Sequence, residues 1–116
     1  MPRLMSFALT TQQILLRTKD VTRRLGWQML KPGETIIAVD HSPRSQRGYS
    51  ELAHLHIVSV TPERLNSITK EEVVREGFSH MTPEQFVTMF AKHMGCDPDT
   101  PVTRIEFRYD KPEGGE

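Results

Sequence analysis

The chain of 116 residues has one cysteine, one tryptophan, no long apolar run and no net formal charge. Each shortage excludes something. Cys96 has no second thiol, so neither an internal disulfide nor a thiolate zinc cage can form, in keeping with a reducing compartment. No window nears the roughly 18 consecutive apolar residues of a membrane span, and Met1 to Ser6 carries no signal-peptide core. The expectation is therefore a cytoplasmic location and no membrane contact. Zero net charge argues against a protein that grips long duplex DNA, which is ordinarily basic, and suits a short RNA or a nucleoside better. The eight prolines form no low-complexity block, and there is no internal repeat or linker. At this length one domain with one core is expected over 1–116, with the core from about 6 to 109 and a flexible tail over 111–116. No obligatory protein partner is evident.

Charge is present but unevenly placed. Residues 1–50 sum to +5 and residues 51–116 to −5, as a basic ligand-facing surface in the first half would leave it. The first half also holds the densest polar cluster, Lys19-x-x-Thr22-x-Arg24. It combines an amine, a hydroxyl and a permanently charged guanidinium within six residues. Read from spacing alone, it is first a basic strand end in water, because charged residues mostly decorate surfaces. The same residue types also suit chemistry. A lysine desolvated beside other cations can lose its proton and activate a threonine hydroxyl, while an arginine holds an anion or a carbonyl oxygen.

Periodicity places this cluster. Arg3 to Leu9 alternates loosely as a first strand, and Thr10 and Thr11 offer caps to a short helix over 12–17. Lys19 to Arg24 is extended, with Lys19, Val21 and Arg23 on one face and Asp20, Thr22 and Arg24 on the other. Lys31-Pro32-Gly33-Glu34 is a turn feeding a buried strand over 35–39. Residues 40–50 form the longest loop, carrying Arg44 and Arg47. A strand follows over 51–60, then a turn or short helix over 61–65. Thr69 and Thr82 each open a helix with a capping box, the second with Pro83 at its first position. Phe86, Met89, Phe90 and His93 give that second helix an apolar stripe, which ends near Gly95. Residues 102–109 alternate over eight positions as the clearest strand. This order predicts an α+β fold in which a mixed sheet curls into a small barrel with helices packed at its ends.

Four features together resemble the ASCH family of the PUA-like superfold over about Ser6 to Tyr109. They are Lys19-x-x-Thr22-x-Arg24, Lys31-x-Gly33-Glu34, Glu76-Gly77-Phe78 and the closing Ile105-Glu106-Phe107 strand. The family carries a Gly-x-Lys-x-x-Glu-x-Arg signature lining a cleft that binds RNA or a modified nucleoside. Here Arg17 stands in place of its glycine and Thr22 in place of its glutamate. A bacterial branch, small amidohydrolases that deacetylate N4-acetylcytidine, has Lys-x-x-Thr-x-Arg at this point. That resemblance implies Thr22 as nucleophile, Lys19 as its activator, Glu76 as acid/base partner and Arg24 as substrate-orienting group, with a modified nucleoside or RNA as partner. Such an acyl-threonine route needs no metal, and no cofactor is expected.

Other residues admit two readings. Trp27 could stack on a base or pack over the barrel end. Arg23, Arg44 and Arg47 could meet phosphates of a nucleotide or RNA. His54 and His56 face one side of a strand but lack an evident third ligand, so no metal site is assigned. Asp40-His41-Ser42 has triad residue types in a row, although triads are assembled across a fold and this run is loop. The alternative to hydrolysis is a non-catalytic RNA-binding module. A metal-assisted ribonuclease is disfavoured by the lack of clustered carboxylates.

Overall fold

Each stretch of alternating sequence becomes a strand in the computed structural model, which describes residues 2–110, although the first ends at Ser6 and turns into a 3-10 helix before Leu9. The tail expected to be flexible, 111–116, lies outside the described residues. The strands are β1 (Arg3–Ser6), β2 (Val21–Arg24), β3 (Thr35–Val39), β4 (Glu51–Arg64) and β5 (Pro101–Tyr109). The helices are α1 (Thr11–Leu15), α2 (Lys70–Arg75) and α3 (Pro83–Met94), with single 3-10 turns at Ala8–Thr10 and Leu65–Ser67. No described helix is long and apolar enough to cross a membrane.

One mixed sheet forms in the order β1-β3-β4-β5-β2, with β1 parallel to β3 and every other pair antiparallel. Strand β4 is long enough to serve two neighbours. It pairs with β3 up to His56 and with β5 from Leu55 to Arg64, and a register shift between Ile57 and Ser59 bends it. The sheet curls into a half-barrel around Met5, Phe7, Ile36, Leu55, Ile57, Ile105 and Phe107. A second apolar cluster, Leu65, Ile68, Val73, Phe86, Phe90 and Val102, seats α2 and α3. Each such side chain contributes roughly 1.5–3 kcal/mol on full burial, so the two clusters set where the helices lie.

The barrel is left open. Strands β1 and β2 are both sheet edges and no described ladder joins them; a side chain spans the gap, with Arg24 Nη2 donating to Ser6 O at 2.6 Å. Strand β4 also runs further than its sequence suggested. Residues 61–64, expected as a turn or helix, stay extended, and Pro62 lies opposite Thr103. Ile57 still exchanges backbone hydrogen bonds with Gly33 and Glu34, but no described strand pairs with the β3 side of β4 further on, where Pro62 lies.

The helix termini follow the caps. At Thr82 the capping box is complete, with Gln85 N donating to the Thr82 hydroxyl and Gln85 Oε1 accepting from Thr82 N, and α3 ends on Gly95 at φ 67°. At Thr69 only half of the box forms. The Thr69 hydroxyl accepts from Glu72 N, but the Glu72 carboxylate is engaged by Arg23 and Arg104 instead. That diversion serves the site.

Candidate active site

Between the β1–β2 gap and α3 lies a cleft of about 190 Å³. Lys19, Thr22, Arg23, Arg24 and Glu76 all line it, facing an apolar wall of Phe78, Phe86, Met89 and Phe90. Five polar residues spread over 58 positions of sequence are thus brought to one place. The site is a charged floor against an aromatic side.

Local structure explains each placement. Helix α1 ends in a turn whose Arg17 sits at φ 60°, the left-handed region that accounts for a glycine at this point in the resembled signature. Arg17 is held there by Nη1 donating to Asp110 O at 2.8 Å and by its guanidinium lying over the Tyr109 ring. Tyr109 in turn donates its hydroxyl to Lys19 O at 2.5 Å. On β2, Thr22 lies opposite Ile105 and Arg24 opposite Thr103, sharing one face, while Arg23 alternates to the other. Glu76 is the C-cap of α2, and Gly77 turns the chain at φ 96°. Gln13 Nε2 donates to Gly77 O at 3.0 Å, locking the turn to α1.

This turn gives a first prediction. A Cβ built on Gly77 would lie 2.8 Å from Gln13 Cγ, in a backbone conformation that side chains rarely adopt. Gly77→Ala is expected to cost about 2–3 kcal/mol of stability. Urea unfolding measures it, and a loss below about 0.5 kcal/mol would show that the turn is not fixed in this way.

At the floor, Lys19 Nζ donates to Glu76 Oε1 at 2.7 Å and to Glu76 O at 2.8 Å. The other carboxylate oxygen, Oε2, accepts from Arg23 Nη1 at 3.1 Å. Arg23 then spends Nε on Glu63 and Nη2 on Glu72, both at 2.7 Å. Arg104 and Arg75 brace Glu72 from outside, and Arg75 pairs with Asp20 and Glu106. Thr22 Oγ1 accepts from Arg24 Nε at 3.3 Å. No hydrogen bond between Lys19 and Thr22 occurs among the described residues, although both line the cleft.

Burial sets the electrostatics, since Lys19, Thr22, Arg23 and Glu76 are each at most 4% exposed. Desolvation holds the Lys19 ammonium below its usual range; Glu76 opposes this, and Arg24 and Arg23 reinforce it. Burial likewise pushes the Arg24 guanidinium down to about 10, with Glu76 opposing. Desolvation would lower Arg23 too, but its bonds to Glu72 and the charges of Glu76 and Glu63 outweigh it, and Arg23 is raised. Glu72 is held at about 2, first by its hydrogen bond to Arg104 and then, against desolvation, by Arg23.

Glu72 carries the second prediction. Its carboxyl titrates lower in the folded than in the unfolded chain, so its stabilisation is complete above the unfolded value near 4.5. It is lost as pH falls from there toward about 2. Screening by solvent leaves on the order of 2 kcal/mol at neutral pH. Glu72→Gln is expected to lower the urea midpoint at pH 7, with the gap to wild type closing between pH 4.5 and 2. A gap independent of pH would refute it.

The remaining sequence candidates lie elsewhere. Trp27, at φ 66°, packs half-buried against the half-barrel core and does not line the cleft. Arg44 and Arg47 are exposed on the 40–50 loop, also outside the cleft lining. Asp40 closes that loop by accepting from Ser50 N, and the Ser42 hydroxyl accepts from Arg44 N, so Asp40-His41-Ser42 serves loop geometry. His54 and His56 are exposed, with His56 bonded to Asp110 and Thr35. Among the described residues no group of three or more His, Cys, Asp or Glu is placed to hold a metal ion. The sequence reading did not foresee the α3 wall as part of the site, although the stripe of Phe86, Met89 and Phe90 was visible, nor Glu63, Glu72 and Gln13 as its supports.

Comparison with known proteins supports the fold. No family model matches the chain, and no curated protein matches it. Among solved structures, protein EF3133 from Enterococcus faecalis, of family DUF984, is similar at TM-score 0.70 and 19% identity over 95% of this chain and 77% of that one. An ASCH domain from Lactobacillus crispatus is similar at TM-score 0.64 and 14% identity, covering 92% and 79%. Hypothetical protein PH0355 is similar at TM-score 0.67 and 15% identity, covering 95% and 100%. The chain has the ASCH-like, PUA-like fold.

Proposed function

We propose that the protein is an amidohydrolase acting on an acylated cytidine or a closely related modified nucleoside. The observation that carries this reading is the joining of Lys19 and Glu76 by a 2.7 Å buried ion pair in the cleft that Thr22 and Arg24 also line. Thr22 attacks the acyl carbonyl and passes its proton to Lys19, whose ammonium has first released one to solvent. Arg24, already bonded to the Thr22 oxygen, stabilises the resulting oxyanion. The C–N bond breaks as the exocyclic nitrogen takes the proton from Lys19, leaving acyl-threonine. Water then attacks the ester, its proton passing to Lys19. Collapse expels the Thr22 alkoxide, which recovers that proton as the carboxylic acid departs. Burial lowers the proton affinity of Lys19 below that of a free lysine, which favours its use as a base, and Phe78, Phe86 and Phe90 offer flat apolar surface to a nucleobase.

Incubation with N4-acetylcytidine, with cytidine followed by chromatography, tests the proposal; turnover is expected, and none in the folded protein would refute it. The rival reading, a non-catalytic RNA-binding module, rests on Arg44 and Arg47 and would show as salt-dependent RNA binding without turnover.

A further inference from the structure

Arg23 looks from its sequence like a phosphate contact, yet its guanidinium is buried with three carboxylates around it. Nε meets Glu63, Nη2 meets Glu72 and Nη1 meets Glu76, so each of its three nitrogens is engaged by a carboxylate. The geometry at Glu76 shows what this commitment does. A carboxylate has two oxygens, and here Arg23 takes Oε2 while Lys19 takes Oε1. Each oxygen of Glu76 thus already accepts a hydrogen bond from a cation. Lys19, by contrast, spends two of its three protons on Glu76, and no described residue engages the third.

Resting on the amidohydrolase reading, we propose that Arg23 is a positioning residue: by clamping Oε2 of Glu76 it fixes Oε1 on Lys19 and makes Lys19 the carrier of the moving proton. Glu76 then orients the amine through both half-reactions, while Glu63 and Glu72 hold Arg23. The threonine proton and then the water proton each rest on Lys19 Nζ before passing to the leaving group.

The charged and titratable groups around Lys19 are Glu76 from the end of α2, Arg23 and Arg24 from β2, Tyr109 from β5 and His93, which lines the same cleft from α3. Removing the Arg23 charge takes away a cation that disfavours the ammonium and leaves Glu76 less neutralised. Both effects raise the pH at which Lys19 loses its proton.

Arg23→Gln is therefore expected to lower kcat by about 10–100-fold, as a slightly misplaced catalytic group does. KM for N4-acetylcytidine should change less than threefold, and the acid limb of the kcat profile should move to higher pH. Lys19 itself can be followed, whether or not the protein turns over substrate, by NMR of 13Cε-labelled lysine with Lys19→Arg to assign the signal. A shift of its titration to higher pH in Arg23→Gln supports the proposal even if the amidohydrolase reading fails. If Arg23→Gln does not fold, Glu63→Gln, which loosens Arg23 from β4 at a residue outside the cleft lining, is expected to give a smaller shift. That shift should run the opposite way, because Glu63→Gln removes an anion while Arg23 keeps its charge for Glu76. A raised KM with unchanged kcat, or a Lys19 titration that stays in place in the folded variants, would overturn it.

Discussion

Thr22→Ala is expected to reduce turnover of N4-acetylcytidine by about 10³-fold or more, roughly 4 kcal/mol of transition-state stabilisation. Substrate affinity should stay within a few-fold, since the cleft walls are untouched. Thr22 is 3% exposed and its oxygen already accepts from Arg24, so the alanine removes the attacking atom and little packing. Thr22→Ser keeps the hydroxyl and should retain activity that alanine loses. Mass spectrometry adds an independent readout, because a quenched reaction should show one acyl group on the peptide containing Thr22. Turnover in Thr22→Ala within tenfold of wild type would remove the threonine from the chemistry. It would leave Lys19 to activate a water directly, a route in which no acyl group ever appears on the protein.

Much of this site is readable in the sequence, and what is not has a physical cause. The β-favouring Val21 and Thr22 point to an extended backbone, and β2 does carry Thr22 and Arg24 on one face. The capping threonines gave both later helices, because a cap is a local device that the sequence contains whole. Ion pairing is not local. The basic first half and acidic second half read as a basic surface, whereas Arg23 meets Glu63, Glu72 and Glu76, and Lys19 meets Glu76, all across more than 35 residues. Part of the asymmetry is therefore neutralised inside the molecule instead of being presented to a ligand. Trp27 is a parallel case. An indole has the same composition on a stacking platform and over a core edge, and only the left-handed turn at Gly26 and Trp27 decides for the core. The open β1–β2 edge was equally hidden, since barrel closure depends on strand pairing that no single strand encodes.

Glu76→Ala should be among the most destabilising single changes in the protein, at about 3–5 kcal/mol. The ion pair as a whole need not be stabilising, because two charges were taken out of water to form it. Removing one partner is different, since it leaves the Lys19 ammonium 2% exposed with no counter-charge and strips Arg23 of one of three carboxylates. Against a typical total stability of 5–15 kcal/mol, that single change brings the fold near its limit. In a Lys19→Met background the same substitution should cost much less, giving a coupling of about 2–3 kcal/mol in a double-mutant cycle read by urea unfolding. The pH dependence has a definite sign. Without Glu76, burial lowers Lys19 further, the unfolded chain binds the extra proton, and the stability of Glu76→Ala should rise with pH until the unfolded lysine also titrates. A coupling near zero, or a deficit that does not shrink as pH rises, would mean that the lysine is neutral in the folded protein even beside Glu76. The pair would then be a hydrogen bond and not an ion pair, and Lys19 would be ready to accept the threonine proton without first losing its own.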